Sequence, residues 1–285
     1  MRQSAAVLAL LESAALQLRV ARRLAPRRHG SLGERFGKLD DRFVFVLGSP
    51  RSGTTFLAGA LGSVPGFVDL GEVAPVKAAV PELVARPADE AARQLRRTLG
   101  LARRVGLVGT VRPVEQTPEM AFLVDAARLA YPEACFVHIV RDGRDVVCSL
   151  LEKRWLEPSA DGRDDAGLPY GDYARFWVEP ERREEFAAVS GARRAAWAWR
   201  SYVTAVRRAA TGVLEVRYED LTRDRAGVAA TLASHIGATT SDVHRALGGA
   251  HDTSVGRYRA ELTEEQLADV TAEAGELLRE LGYLD

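Results

Sequence analysis

The chain has 285 residues and carries 39 Lys and Arg against 39 Asp and Glu, a formal net charge of zero. That balance argues against a general nucleic-acid binder, whose affinity for the phosphate backbone rests on an excess of cations. Hydrophobic residues at 47% and charged residues at 27% exclude disordered, collagenous and disulfide-framework classes.

Residues 1–38 hold eight Lys and Arg but two Asp and Glu, a net of +6, which leaves −6 for the remainder. Val7, Leu11, Ala14, Ala15 and Leu18 recur at helical spacing and are followed by Arg19, Arg22, Arg23, Arg27 and Arg28. The expectation is an N-terminal basic helical extension over residues 1–39. It either touches an anionic membrane surface or partner, or docks on the domain with its cations outward. The apolar run at residues 5–11 is short and stops at Glu12, so it reads as neither a signal peptide nor a spanning helix. The expected location is the cytoplasm.

From residue 40 onward apolar strands alternate with helical stretches. Residues 43–47, 135–140 and 213–218 read as strands, with 106–111 as a fourth. Residues 54–61 and 145–155 read as helices, each opening after a turn that follows a strand. Residues 193–210 form a longer helix with Ala196, Trp199, Val203, Val206 and Ala210 on one stripe. The last helix opens with Thr263-Glu-Glu-Gln266, a capping box, and stops at Gly282. This order predicts one α/β domain, residues 40–285, with a parallel sheet covered on both faces, three layers in all. Such sheets bind ligands beyond the carboxyl ends of their strands. Residues 155–185 are polar yet contain Trp155, Tyr170, Tyr173, Phe176 and Trp177, and form either a lid over the site or a cap on the core.

Residues 48–55, Gly-Ser-Pro-Arg-Ser-Gly-Thr-Thr, have the G-x-x-x-x-G spacing of a phosphate loop between a strand and a helix. Successive backbone amides and the positive helix end suit an oxyanion. A nucleotide-hydrolysing loop places Lys after its second Gly, where this chain has Thr54. The loop therefore suits an anion other than Mg·NTP, with Arg51 supplying charge and Thr54 and Thr55 supplying hydroxyls. In the segment Val140-Arg-Asp-Gly-Arg-Asp-Val-Val-Cys-Ser149, Arg141 leaves a strand end and Ser149 lies eight residues on. The two can converge on a second phosphate, with Asp142, Arg144 and Asp145 holding the turn by local pairing and capping. Taken alone, the same turn also reads as a salt-bridge knot.

These residues resemble the sulfotransferase family. Residues 48–55 resemble its 5′-phosphosulfate loop, Arg141 with Ser149 its 3′-phosphate motif, and Val216-Arg-Tyr-Glu-Asp-Leu221 its YEDL-type segment. The resemblance implies a P-loop-like sulfotransferase fold. It also implies 3′-phosphoadenosine 5′-phosphosulfate as donor, held by Arg51, Ser52, Gly53, Thr54, Thr55, Arg141 and Ser149, with Tyr218 against the adenine. Lys153, Arg257 and Arg259 are further candidates for the 3′-phosphate. The acceptor would be a small molecule or peptide carrying a hydroxyl or amine. Glu72, twenty-one residues after Arg51, is similar to the base of tyrosylprotein sulfotransferases. Glu115 is the competing base, and Gln116 stands where related enzymes carry Lys. Arg51 and Glu72 are thus the expected catalytic pair. Neither the two cysteines, Cys135 and Cys148, nor the five scattered histidines show metal-ligand spacing, so no metal is expected. The alternatives are a P-loop phosphotransferase using Mg·ATP and a non-catalytic nucleotide-binding protein.

Overall fold

The computed structural model describes residues 38–105, 109–153, 156–157, 175–209 and 211–285. The expected helix within residues 1–37, and Trp155, Tyr170 and Tyr173 of the expected lid, lie outside them. The chain runs β1 (Val44–Leu47), α1 (Thr54–Leu61), β2 (Phe67–Asp69), α2 (Ala74–Val84), α3 (Ala88–Val105) and β3 (Arg112–Glu115). After a 3-10 turn it continues through α4 (Val124–Ala130), β4 (Cys135–Val140) and α5 (Gly143–Leu151). Then come α6 (Arg183–Ala188), α7 (Gly191–Arg208), β5 (Val213–Arg217), α8 (Asp220–Arg223), α9 (Arg225–Ile236), α10 (Thr240–Ala246), α11 (Tyr258–Glu261) and α12 (Glu264–Glu280).

The five strands form one parallel sheet in the order β2-β3-β1-β4-β5. Strand residues alternate between two cores. Phe43, Phe45 and Leu47 join the layer built on α2, α3, α4, α5, α7 and α12, while Val44 and Val46 face the layer built on α1, α9 and α10. A parallel sheet sealed on both faces explains why its strands are continuously apolar, and the three-layer expectation holds.

One strand expectation needs correction, and one strand was not expected at all. Of residues 106–111, expected as the fourth strand, 106–108 lie outside the described residues and 109–111 are not strand; the strand begins after them, at Arg112–Glu115. Pro113 disguised it, because proline cannot donate to a ladder. Here the Arg112 amide donates to Gly66 O on the β2 side, so position 113 faces β1. The β1 pairing starts only at Val44 opposite Val114, so Pro113 costs no ladder bond. β2, a three-residue strand, was too short to show a period. In addition, α5 begins at Gly143 and ends at Leu151, not at residue 155, with Asp142 as its N-cap.

Because all strands are parallel, their carboxyl ends share one edge. Across that edge lie Glu72 beyond β2, Glu115 and Gln116 at β3, the 48–53 loop after β1, Arg141 after β4 and Tyr218 after β5. Phe176 and Trp177 pack edge-on against Phe122, Tyr202 and Phe186, so these two aromatics cap the core.

Candidate active site

The loop after β1 turns through Arg51, the only non-glycine described residue with positive φ (71°), and Gly53 (φ 95°). Ser52 N donates back to Ser49 O, which tightens the turn. The first helical amide bond of α1 is Leu57 N to Gly53 O, so the amides of Thr54, Thr55 and Phe56 lack intrahelical acceptors. No acidic side chain occupies this first turn, leaving its positive end uncompensated. A Cβ on Gly53 would stand 2.6 Å from the Tyr218 ring, so glycine lets the loop and the β5 segment meet.

A cavity of about 270 Å³ opens on this edge, and Arg51, Gly53, Thr55, Arg141, Ser149 and Tyr218 line it. Arg51 Nε donates to Ser149 Oγ at 2.9 Å. Arg141 is buried, donates through Nη1 to Arg51 O at 3.2 Å and through Nη2 to Ser254 O, and lies 4.7 Å from the Tyr218 ring centroid. Two of the expected ligands do not reach the wall. Ser52 and Thr54 are buried and do not line the cavity. The Ser52 hydroxyl and Arg141 Nε are both buried without a hydrogen-bond partner. Among the weaker 3′-phosphate candidates, Arg257 lines the cavity, whereas Lys153 and Arg259 do not.

The β4 turn is held less locally than its sequence suggests. Asp142 caps α5 through the Arg144 amide at 3.0 Å and pairs with the Arg144 guanidinium at 2.7 Å, as expected. Asp145 instead reaches the C-terminal segment, accepting from Gly256 N at 2.7 Å and Tyr258 N at 3.1 Å. Glu219, next to Tyr218, accepts from Asp142 N at 2.9 Å and from the Tyr283 hydroxyl at 3.0 Å. Neither role was visible in the sequence. Phe56, His251 and Ser254 also line the cavity and were missed: Phe56 reads as an apolar residue of the helix after the loop, and His251 and Ser254 lie outside the spaced motifs.

On the other side of β1, Glu72 accepts from Lys77 Nζ at 2.6 Å, and its side chain is 24% exposed. It does not line the cavity just described. Lys77 is buried and stands 4.0 Å from Glu119, which accepts from the Tyr202 hydroxyl at 3.2 Å. Glu115 is fully buried. Burial, opposed by hydrogen bonds from Thr117 and reinforced by the neighbouring charges of Glu72 and Glu119, pushes its carboxyl up to about 8. Thr117 donates to Glu115 Oε1 through its amide at 2.9 Å and through its hydroxyl, while its Oγ1 also receives Val73 N at 3.0 Å. Glu115 therefore braces the turn that carries Glu72. Gln116 is buried and meets Thr55 Oγ1 through Oε1 at 3.5 Å, which places it beside the loop. Among the described residues, no group of three or more His, Cys, Asp and Glu is arranged to hold a metal ion. None of their helices is long and apolar enough to cross a membrane.

Residues 102–242 match the sequence model of the Sulfotransferase family, a stretch that takes in Glu115, Arg141, Ser149 and Tyr218. In fold the chain is similar to sulfotransferase STF9 from Mycobacterium avium, at 14% identity and a TM-score of 0.52, over 97% of this chain and 85% of that one. It is also similar to the sulfotransferase domain of the Synechococcus PCC 7002 olefin synthase, at 14% identity and a TM-score of 0.50, over 87% of this chain and 98% of that one. At such identity the likeness is one of fold. No curated protein matches the sequence. That matched stretch carries the β4 turn and the Tyr218 segment, on a parallel sheet of the kind seen in solved sulfotransferases, so the likeness of the chain, in sequence over residues 102–242 and in fold over most of its length, is to the sulfotransferase family.

Proposed function

We propose that this chain transfers a sulfuryl group from 3′-phosphoadenosine 5′-phosphosulfate to an acceptor hydroxyl or amine. The observation that carries the reading is a cavity walled by two hydrogen-bonded cationic groups and an aromatic ring: Arg51 with the loop, Arg141 with Ser149, and Tyr218. Arg51, the uncompensated amides of α1 and the Thr55 hydroxyl suit the phosphosulfate end. Arg141 and Ser149 suit the 3′-phosphate, and the Tyr218 ring offers a face to adenine. The buried Arg141 Nε, without a hydrogen-bond partner on a residue that lines this cavity, supports the fit.

In this reading the acceptor oxygen or nitrogen attacks sulfur while the bond between sulfur and the 5′-phosphate oxygen breaks. Arg51 and the loop amides stabilise the negative charge that gathers on the departing phosphate. Glu72 takes the acceptor's proton. Glu115 is the weaker candidate for that role, since it is sealed from solvent and already engaged by Thr117. Lys77 holds the Glu72 carboxylate in place. Gln116, lacking a charge, accepts a hydrogen bond from the Thr55 hydroxyl and leaves the cationic work to Arg51.

Calorimetry tests the donor: the chain should bind adenosine 3′,5′-bisphosphate more tightly than Mg·ATP. The reverse preference overturns the reading in favour of a phosphotransferase. Arg141→Ala should weaken the bisphosphate far more than adenosine 5′-phosphate, and equal losses for both would remove Arg141 from the 3′-phosphate.

A further inference from the structure

The segment carrying residues 254–258 is far from the β4 turn in sequence, yet it is stitched to the cavity wall at several points. The Ser254 carbonyl accepts from Arg141 Nη2, and its hydroxyl lies 3.0 Å from the Tyr218 hydroxyl. Asp145, whose side chain is completely buried in α5, spends both carboxylate oxygens on this segment. Oδ2 accepts Gly256 N at 2.7 Å and Oδ1 accepts Tyr258 N at 3.1 Å. Those two amides bracket Arg257, which lines the cavity together with Arg141 and Ser149. The Arg257 guanidinium is tethered by two carboxylates, donating through Nε to both oxygens of Glu261 at 2.9 Å and through Nη2 to Glu152.

We propose that Asp145 is a positioning residue for the nucleotide: it fixes the backbone on either side of Arg257, so that this guanidinium completes the 3′-phosphate end of the cavity. The proposal rests on the donor reading above. Burying a carboxylate is costly unless its oxygens are satisfied, and this one is satisfied by two amides from a single distant segment, with no ion pair among its hydrogen bonds. Charge-assisted bonds of this kind are directional and strong, so they set where the segment lies. An asparagine at the same position would keep the volume but turn an NH₂ toward one of the two amides, losing one bond and opposing donor to donor.

The test is calorimetry on the full chain with adenosine 3′,5′-bisphosphate and adenosine 5′-phosphate. Wild type should prefer the bisphosphate. Asp145→Asn should weaken the bisphosphate by about tenfold to a hundredfold, the cost of one charged hydrogen bond, and leave the monophosphate almost unchanged. Arg257→Gln should give the same pattern, and the double variant should be no weaker than the worse single one. A wild type without preference sinks the donor reading and this proposal together. A wild-type preference that survives Asp145→Asn, falls equally for both ligands, or falls additively in the double variant sinks this proposal alone. Should Asp145→Asn fail to fold, hydrogen exchange in wild type decides. Slow exchange of the Gly256 and Tyr258 amides is expected, and fast exchange of both overturns the assignment.

Discussion

Arg51 Nε donates to Ser149 Oγ at 2.9 Å, joining the loop after β1 to α5 across 98 positions of sequence. The two residues expected to serve different ends of the donor thus hold each other. Ser149→Ala should weaken adenosine 3′,5′-bisphosphate by about tenfold or more, because a hydrogen bond to a charged group is lost. Arg51→Ala should then cost less in the Ser149→Ala background than in wild type, with a coupling of roughly 0.5–3 kcal/mol. Affinities from the four-variant cycle check this, and strictly additive losses would separate the two residues.

Glu72→Gln should lower kcat by roughly 10²- to 10⁴-fold, the usual worth of a general base, while the affinity for adenosine 3′,5′-bisphosphate stays within about threefold. Steady-state turnover and calorimetry measure the two sides independently. Near-normal turnover would move the base elsewhere.

Glu115 gives stability a pH dependence opposite to that of an ion-paired acid. Its folded carboxyl lies near 8, above the ordinary 4.5, so between those values the folded chain binds more protons than the unfolded one. Stability from this group is then full below about pH 4.5 and declines as pH rises toward about 8. Glu115→Gln should remove the decline, so that the variant gains on wild type by up to a few kcal/mol between pH 5 and 8. Urea midpoints across that range test it. Parallel curves would show that the carboxyl is charged in the fold.

Gly53→Ala forces a methyl to within 2.6 Å of the Tyr218 ring at a backbone φ of 95°. A loss of roughly 1–3 kcal/mol is expected, together with weaker nucleotide binding as Tyr218 is displaced. Gly59, in the same helix, has open space at its Cβ, and Gly59→Ala should stabilise by about 0.5–1 kcal/mol. Thermal midpoints moving in opposite directions would support both assignments, and a stable Gly53→Ala variant would overturn the first.

The phosphate loop, the β4 turn and the Tyr218 segment were legible because each obeys a local rule. A glycine-spaced loop follows a strand, an arginine leaves a strand end, and the flanking helices carry periodic stripes. Capping chemistry located α12 for the same reason, since Thr263 and Gln266 satisfy each other within one turn. β2 and β3 were missed or misplaced where local rules run out: one is three residues long, and the other carries a proline whose missing amide matters only once the neighbouring register is known.

By itself, then, the sequence determined the class of fold and located the glycine-spaced loop, the arginine at the end of β4 and the Tyr218 segment, all of them set by spacing along the chain. Tertiary structure decided which of these share a wall. The parallel sheet lays Glu72, Glu115, the loop, Arg141 and Tyr218 along one edge in an order the sequence does not follow. It also turned Ser52 and Thr54 inward, sealed Glu115 and sent Asp145 to a segment 111 residues away. Burial and long-range hydrogen bonding depend on which strands are neighbours, and that is settled only when the sheet assembles.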